Sequence, residues 1–373
     1  MIFDFLKYCL GGKYNMSNVV NIDWQQLYSF ASKQAILGLC FEGVERLGEE
    51  YPEELKLNPI GRELLMTWMT KTQQIRRQNM KVNGVAAKLY SKFREDGLCC
   101  CILKGQGNAL MYPNPYSRTP GDIDVWVNAN REDITEYAKC HFKLEDDIRF
   151  HHLETTMDGV PVELHFFPCS MNNPLYHARL QKWFKRNADL QCSNVVSLPD
   201  GIGEIAMPTT AFNVVYQLTH LSHHFFDEGI GMRQIIDYYF VLVKSEERRV
   251  KNLTVLQREL KYLGLWKFAK AVMYVLHEAL GLSEEKMIAP MDEKRGKLLL
   301  AEILNGGNFG KHFTKYGHFT QQGMAKKYFL KIWRNMHFVR YYPAEALSEP
   351  IFRTCHFFWR IKHKMFNSKE IKK

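Results

Sequence analysis

Hydrophobic positions change their spacing twice along the chain. Over residues 1–95 apolar side chains recur every three or four positions, as they do on one face of an α-helix. Over 96–205 shorter apolar runs alternate with polar residues, glycine and proline, which is typical of strands and turns. Over 206–373 the helical spacing returns. The pattern therefore predicts a mixed α/β core between an N-terminal and a C-terminal helical unit.

Cap residues and periodicity place the individual helices. Asn21 or Asp23 could cap a helix over 24–39, and Thr209 or Thr210 could cap one that runs through Phe212. Further helices are expected over 59–94, 108–112, 131–140, 232–244, 254–280, 293–304, 322–341 and 351–366.

Strands of the core are expected over 100–103, 122–127, 142–144, 148–157 and 160–167. Asp158-Gly159 is a strong two-residue turn signal, so the last two strands should form a hairpin. A two-residue loop would place Glu154 opposite Glu163, and His152 opposite His165. These four side chains would then share one face of the sheet.

Composition excludes several classes of protein. The apolar fraction of 46% and the aromatic fraction of 13% exclude a disordered chain. No run of about 18 uncharged apolar residues is present, so we expect no membrane span, and charges interrupt Met1–Leu10, so we expect no signal peptide. The nine cysteines are an odd number without Cys-x-x-Cys spacing, which favours reduced thiols and a cytoplasmic location.

The net charge of +10 is concentrated at the C-terminus. Residues 311–373 contain 14 Lys and Arg against 3 Asp and Glu, whereas the preceding residues are nearly neutral. Aromatic residues interleave with the basic ones in this tail. A helical cap with inward aromatics is the favoured interpretation, nucleic-acid binding is second, and contact with an anionic membrane surface is third.

Two aspartates at the start of an apolar run are the most informative residues. Asp122 and Asp124 would share one face of a strand, while Ile123 and Val125 would point into a core. Carboxylates about 7 Å apart along the backbone can close on a divalent cation. The alternative is an ordinary turn or cap role, since Asp-x-Asp alone is common.

Four motifs suggest a family, namely Leu-Lys-Gly at 103–105, Arg118, Asp-Ile-Asp-Val-Trp-Val at 122–127 and Val-Glu-Leu-His at 162–165. Together they resemble the polymerase-beta-like nucleotidyltransferase superfamily, and within it a largely uncharacterised bacterial group. Asp23-Trp24 and the segment 220–237 also resemble that group, so the resemblance covers roughly residues 20–310.

The resemblance implies a mixed-sheet nucleotidyltransferase core at 96–205, and it implies that this core transfers a nucleoside monophosphate with the help of metal ions. Two Mg²⁺ ions, which Mn²⁺ can replace, would be bound by Asp122, Asp124 and Glu163, and Glu163 could also accept the proton of the attacking hydroxyl. The reaction would move a nucleoside monophosphate from a triphosphate, with ATP as the first choice, to a hydroxyl or phosphate acceptor. Glu154 and Asp147 compete with Glu163 for the third position.

Phosphate binding would depend on the turn at Lys104. Gly105 and Gly107 allow backbone to approach a phosphate, and Lys104 or Arg118 could supply charge. Many relatives have a Gly-Ser pair here, whereas this chain has Lys-Gly-Gln.

A second group of residues would lie on the substrate side of the cleft, namely His165, His220, His224, Arg233 and Asp237. His220 and His224 share a helical face, which also raises a zinc hypothesis. Spacing indicates no third zinc ligand, so hydrogen-bonded histidines are favoured.

Two functions of other classes stay open. One is a catalytically silent nucleotide-binding regulator, which the missing serine keeps in consideration. The other is an RNA-binding or toxin-antitoxin-type interaction module, which the basic tail from about residue 311 suggests.

Overall fold

The N-terminal unit is helical in the computed structural model, which describes residues 1–144, 149–245, 253–312 and 324–370. Its helices are α1 (Ile2–Cys9), α2 (Met16–Val19), α3 (Trp24–Lys33), α4 (Leu37–Glu50), α5 (Pro52–Leu57) and α6 (Arg62–Glu95). The carboxylate of Asp23 caps α3 by accepting from the backbone N–H of Gln26. The single helix expected over 24–39 is broken in two at Ala35, which has a φ of +57°.

A four-stranded mixed sheet forms the centre of the core. Its elements are β1 (Cys100–Ile102), α7 (Gln106–Ala109), β2 (Ile123–Val127), α8 (Arg131–His141), β3 (His152–Met157) and β4 (Val160–His165). The strand order is β1-β2-β4-β3, with β2 parallel to β4 and the other pairs antiparallel. The sheet confirms the mixed α/β prediction.

The hairpin has the register that its turn predicts. Asp158 and Gly159 both have positive φ, +51° and +74°, as a tight two-residue turn between twisted strands requires. Met157 therefore pairs with Val160, and the two glutamates and two histidines face each other as expected. The strand expected at 142–144 is a single bridge between Leu144 and Thr155. Residues 145–148, which include Asp147, lie outside the described residues.

A helix and a β-ribbon follow the hairpin, and sequence periodicity missed both. They are α9 (Pro174–Cys192), β5 (Val195–Ser197) and β6 (Glu204–Ala206). Helix α9 carries local signals, because the side chain of Asn173 caps it and Pro174 occupies its first turn.

The described part of the C-terminal unit consists of helices joined by loops. The helices are α10 (Thr210–Asp227), α11 (Met232–Lys244), α12 (Leu253–Tyr262), α13 (Trp266–Leu280), α14 (Glu293–Gly306), α15 (Met324–Met336) and α16 (Pro343–Glu370). Thr209 caps α10, as one of the two predictions had it. Gly264, with a φ of +78°, divides the helix expected over 254–280.

The sheet lies between two hydrophobic cores. Ile123, Val125 and Val127 of β2 pack into a core that also contains apolar residues of α6, α8 and β4. The opposite face of β2 carries Trp126, which stacks on Phe212 of α10 at a ring distance of 5.9 Å. Asp124 therefore lies on the side of the sheet that faces the C-terminal helices. Among the described residues, no helix combines the length and the apolar character needed to cross a bilayer.

The favoured interpretation of the basic tail is only half correct. Phe338 and Tyr342 are buried against Phe225, as an inward-facing cap requires. Trp333 and Phe358, however, are 62% and 63% exposed. Large side chains occur on more than one face of these helices, so a single inward stripe cannot bury them all.

Glu345, in the first turn of α16, should make stability fall as the pH rises. Its buried carboxylate accepts from the backbone N–H groups of Asn172 (2.9 Å) and Asn173 (3.4 Å), and burial raises its pKa to about 7 from 4.5. A raised folded-state pKa stabilises the protein below pH 4.5, and this contribution is lost as the pH rises through 7. Glu345→Gln should therefore be more stable than wild type at pH 8, by at most about 3 kcal/mol.

The measurement is thermal unfolding of both proteins between pH 4.5 and pH 8. The gain should shrink towards the acidic end, where wild-type Glu345 is already neutral. Glu293→Gln is a matched control, because Glu293 is exposed and pairs with Lys297. A gain that is independent of pH would contradict the assignment.

Candidate active site

The acidic residues meet where β2 and β4 run side by side. Asp122 directly precedes β2, and Asp124 lies two residues further on the same face. The parallel register pairs Asp124 with Glu163 of β4. Neighbouring strands in a sheet lie about 4.8 Å apart, so this pairing brings the two carboxylates to one place. The structure thus brings Asp124 and Glu163 together, and it places Asp122 in the same cleft as Asp124.

Asp124 is almost completely buried and lies next to two cationic side chains. Its side chain is 1% exposed, and its Oδ1 atom lies 3.0 Å from Nζ of Lys104 and 3.1 Å from Nε2 of His165. Its Oδ2 atom is buried and has no hydrogen-bond partner among the described residues. A buried anionic oxygen without a partner is costly unless a cation approaches it.

The charges of these groups depend on one another. Burial would raise the pKa of Asp124, but the attraction of Lys104 and the hydrogen bond from His165 outweigh it and hold the pKa well below its usual range. Burial would lower the pKa of Lys104, but the attraction of the nearby carboxylates is stronger, so the pKa of Lys104 is raised. His165 is also buried, yet its hydrogen bonds to Asp124 and Glu163 raise its pKa to about 9. At neutral pH the cluster therefore contains an anion between two cations.

Glu163 lies at the open side of the cluster. Its Oε2 atom is 3.1 Å from Nε2 of His165 and 3.4 Å from Nδ1 of His152. Burial raises the pKa of Glu163 above its usual value. Glu154, the competing residue, lies opposite Glu163 in the hairpin and contacts Arg149 at 3.0 Å. Only Glu163 also lies next to Asp124 in the sheet.

The two glycines of the turn have different surroundings. Gly105 has a φ of +64° and lines the same cleft as Asp122 and Asp124. Gly107 is buried in α7, where a Cβ atom would meet the Cβ of Met207 at 3.1 Å. The structure brings Gly105 to the acidic residues and does not bring Gly107 there.

A buried network closes the opposite wall of the cleft. Arg118 donates from Nε and Nη2 to the two carboxylate oxygens of Asp237, each at 2.8 Å. The hydroxyl of Tyr112 also donates to Asp237 at 2.8 Å. Arg233 donates to the carbonyl of Thr119 at 3.0 Å. The loop before β2 is therefore fastened to α11.

His220 and His224 of α10 are hydrogen-bonded histidines. Nε2 of His220 lies 3.1 Å from Nζ of Lys104 and 3.0 Å from Nε2 of His224. Burial, with the charge of Lys104 adding to it, lowers the pKa of His220 well below its usual value. In the described part of the chain, the clusters of candidate metal ligands include neither His220 nor His224.

Sequence reasoning missed several residues that line the cleft. Gln217 and Gln234 come from α10 and α11, and their helical periodicity gives no sign of this position. Phe309 enters the cleft from the glycine-rich segment 306–310, with a φ of +54°. The glycine-rich sequence of this segment is the one feature that could have indicated its position in the cleft.

The donor set fits a divalent cation of the Mg²⁺ type. Carboxylate oxygens of Asp122 and Asp124 line one cleft, and the buried Oδ2 of Asp124 lacks a partner among the described residues. Oxygen is the ligand that Mg²⁺ prefers in proteins. Lys104, Arg118 and Arg233 line the same cleft, so anionic groups such as phosphates would find positive charge opposite the carboxylates.

A match to a known protein family identifies the class of protein. Residues 21–281 match the family described as uncharacterised nucleotidyltransferase, and the chain belongs to this family. Among solved structures, it is similar to an antigenic nucleotidyltransferase-like protein from Paracoccidioides brasiliensis, with 16% identity and a TM-score of 0.37. That similarity covers 57% of this chain and 94% of the other. No curated protein matches the chain.

The Arg118–Asp237 pair should be a major stabilising contact of the cleft. Both side chains are buried, so Asp237→Asn leaves the Arg118 guanidinium without a counter-charge. Breaking such a buried pair costs about 3–5 kcal/mol. Tyr112→Phe removes only one hydrogen bond to the same carboxylate and should cost about 1 kcal/mol. Chemical denaturation of the three proteins measures both values, and equal losses in the two variants would contradict the assignment.

Proposed function

We propose that the protein is a Mg²⁺-dependent nucleotidyltransferase. It would transfer a nucleoside monophosphate from a triphosphate, with ATP as the first candidate, to a hydroxyl or phosphate acceptor and release pyrophosphate. The supporting observation is that Asp124 pairs with Glu163 of the neighbouring strand and lines one cleft with Asp122. Lys104, Gly105 and Arg118 line the same cleft as Asp122 and Asp124.

The proposed roles follow from the charges. A nucleoside triphosphate carries about four negative charges near neutral pH, which must be neutralised during phosphoryl transfer. Asp122, Asp124 and Glu163 would hold the divalent cations, which neutralise this charge when bound. The raised pKa of Glu163 suits a group that accepts a proton from the attacking hydroxyl.

The basic wall would hold the phosphates. Gly105 leaves space for backbone contact, since it has no side chain and a left-handed φ. Arg233 has an Nε–H without a hydrogen-bond partner among the described residues, so it is available to an anionic oxygen. Arg118 uses its fork on Asp237 and would mainly position the loop before β2. His165 would hold Asp124 and Glu163 in place, since its Nε2 lies 3.1 Å from both carboxylates.

The test is pyrophosphate release from each triphosphate with Mg²⁺, with a panel of hydroxyl and phosphate acceptors. Asp122→Asn and Asp124→Asn should each lower kcat at least about a hundredfold, because each removes a charge that the transition state needs. Asp158→Asn is the matched control, since it makes the same chemical change in an exposed turn of the same sheet. If calorimetry detects no Mg²⁺-dependent binding of any triphosphate, the proposal is wrong.

Lys104 should keep Asp124 charged, and thus the protein active, at acidic pH. Its charge helps to hold the pKa of Asp124 low, so Lys104→Met should raise that pKa. An acid with a higher pKa becomes protonated at a higher pH, so the variant should lose kcat/KM earlier as the pH falls. It should also raise KM for the triphosphate, because one of the positive charges that line the cleft is removed. The pH profile of Lys88→Met should stay unchanged, since Lys88 is exposed and pairs with Asp158.

A further inference from the structure

Three histidines meet behind the carboxylates, at the start of β3 and the end of β4. We propose that His151, His152 and His165 form a binding site for a transition-metal ion of the Zn²⁺ class, separate from the Mg²⁺ site. Each residue offers a ring nitrogen, and these three atoms lie within 4.8 Å of one another. In a tetrahedral zinc site the nitrogens are about 3.3 Å apart, so a small closure of the side chains would be enough.

The hairpin fixes these rings in place. His152 and His165 are directly opposite each other in the β3–β4 register, and their ring centroids are 5.2 Å apart. The carbonyl of His151 accepts from the backbone N–H of Phe166, which ties this residue to the end of β4. The ring centroid of His151 lies 4.3 Å from that of His152 and 5.5 Å from that of His165.

Two of the histidines are buried with an unused ring nitrogen. The side chains of His152 and His165 are 7% and 5% exposed. Nδ1 of His165 has no hydrogen-bond partner among the described residues, and Nδ1 of His152 has only a 3.4 Å contact with Oε2 of Glu163. Buried polar atoms are normally satisfied, so these nitrogens point to a ligand.

His165 has the surroundings of a metal-binding histidine. Its Nε2 lies 3.1 Å from carboxylate oxygens of both Asp124 and Glu163. A carboxylate that accepts the N–H on one side of an imidazole orients the ring and makes the other nitrogen a better ligand. Metal binding at Nδ1 would replace the proton there. His151 is only partly buried, which leaves an approach from solvent.

The donor atoms select the class of ion. Imidazole nitrogen suits Zn²⁺, Co²⁺, Ni²⁺ and Cu²⁺, whereas Mg²⁺ prefers oxygen. Three protein ligands are the number that open zinc sites use.

The test uses the full chain, stripped of metal with a chelator and titrated with Co²⁺ in the presence of excess Mg²⁺. We expect one Co²⁺ per chain, with a visible absorption band that Zn²⁺ abolishes by displacement. His152→Gln and His151→Gln should each weaken Co²⁺ binding at least about tenfold. His141→Gln should leave binding unchanged, because His141 is exposed on α8. Thermal unfolding of each variant checks that the fold is retained.

Asp122→Asn separates this inference from the proposed function. It should keep the Co²⁺ band, because Asp122 lines the cleft and is not a member of the histidine cluster. Loss of the band in Asp122→Asn would place the ion among the carboxylates and overturn the inference. Equal Co²⁺ affinity in wild type and folded His152→Gln, or no band in wild type, would overturn it as well. None of these results depends on whether the protein transfers nucleotides.

Discussion

A carboxylate that is almost completely buried sets the requirements for this site. Asp124 can be an anion in that position only because Lys104 and His165 lie within hydrogen-bond distance of its Oδ1 atom. Each cation depends on the carboxylate in return, since burial alone would favour its neutral form. The turn after β1, the end of β4 and the start of β2 are therefore coupled by charge as well as by backbone pairing.

Local rules predicted the parts of the site that depend on neighbouring residues. The two-residue turn at Asp158-Gly159 fixed the register of the hairpin, so the pairing of Glu154 with Glu163 followed from counting. The alternation of side chains along β2 separated Asp124 from Val125 in the same way. The role of Glu163 as the third acidic residue came from the family resemblance, and the parallel pairing of β2 with β4 is seen only in the structure, because periodicity does not state which strands are neighbours.

Contacts between distant residues were beyond sequence reasoning. Asp237 was selected as a cleft residue, but nothing in the sequence indicates that its partner is Arg118. Gly107 resembles Gly105 in the sequence, yet it packs against Met207 because β6 returns to this part of the core. The exposed ring of Trp333 also depends on which helix face finds a neighbour. Whether a side chain is buried depends on the neighbours that it meets in the folded molecule. Sequence periodicity indicates only which face of a helix could face the core.

The bidentate ion pair between Arg118 and Asp237 has a consequence for synthesis on the ribosome. The two residues are 119 positions apart in sequence. At translation rates of about 5–20 residues per second, the loop that carries Arg118 would exist for about 6–24 s before Asp237 is made. During that interval the guanidinium has no carboxylate of Asp237 to pair with. The nascent chain therefore cannot complete the cleft until α11 has emerged, and a polypeptide that stops after β6 would lack both Arg233 and the carboxylate that positions Arg118.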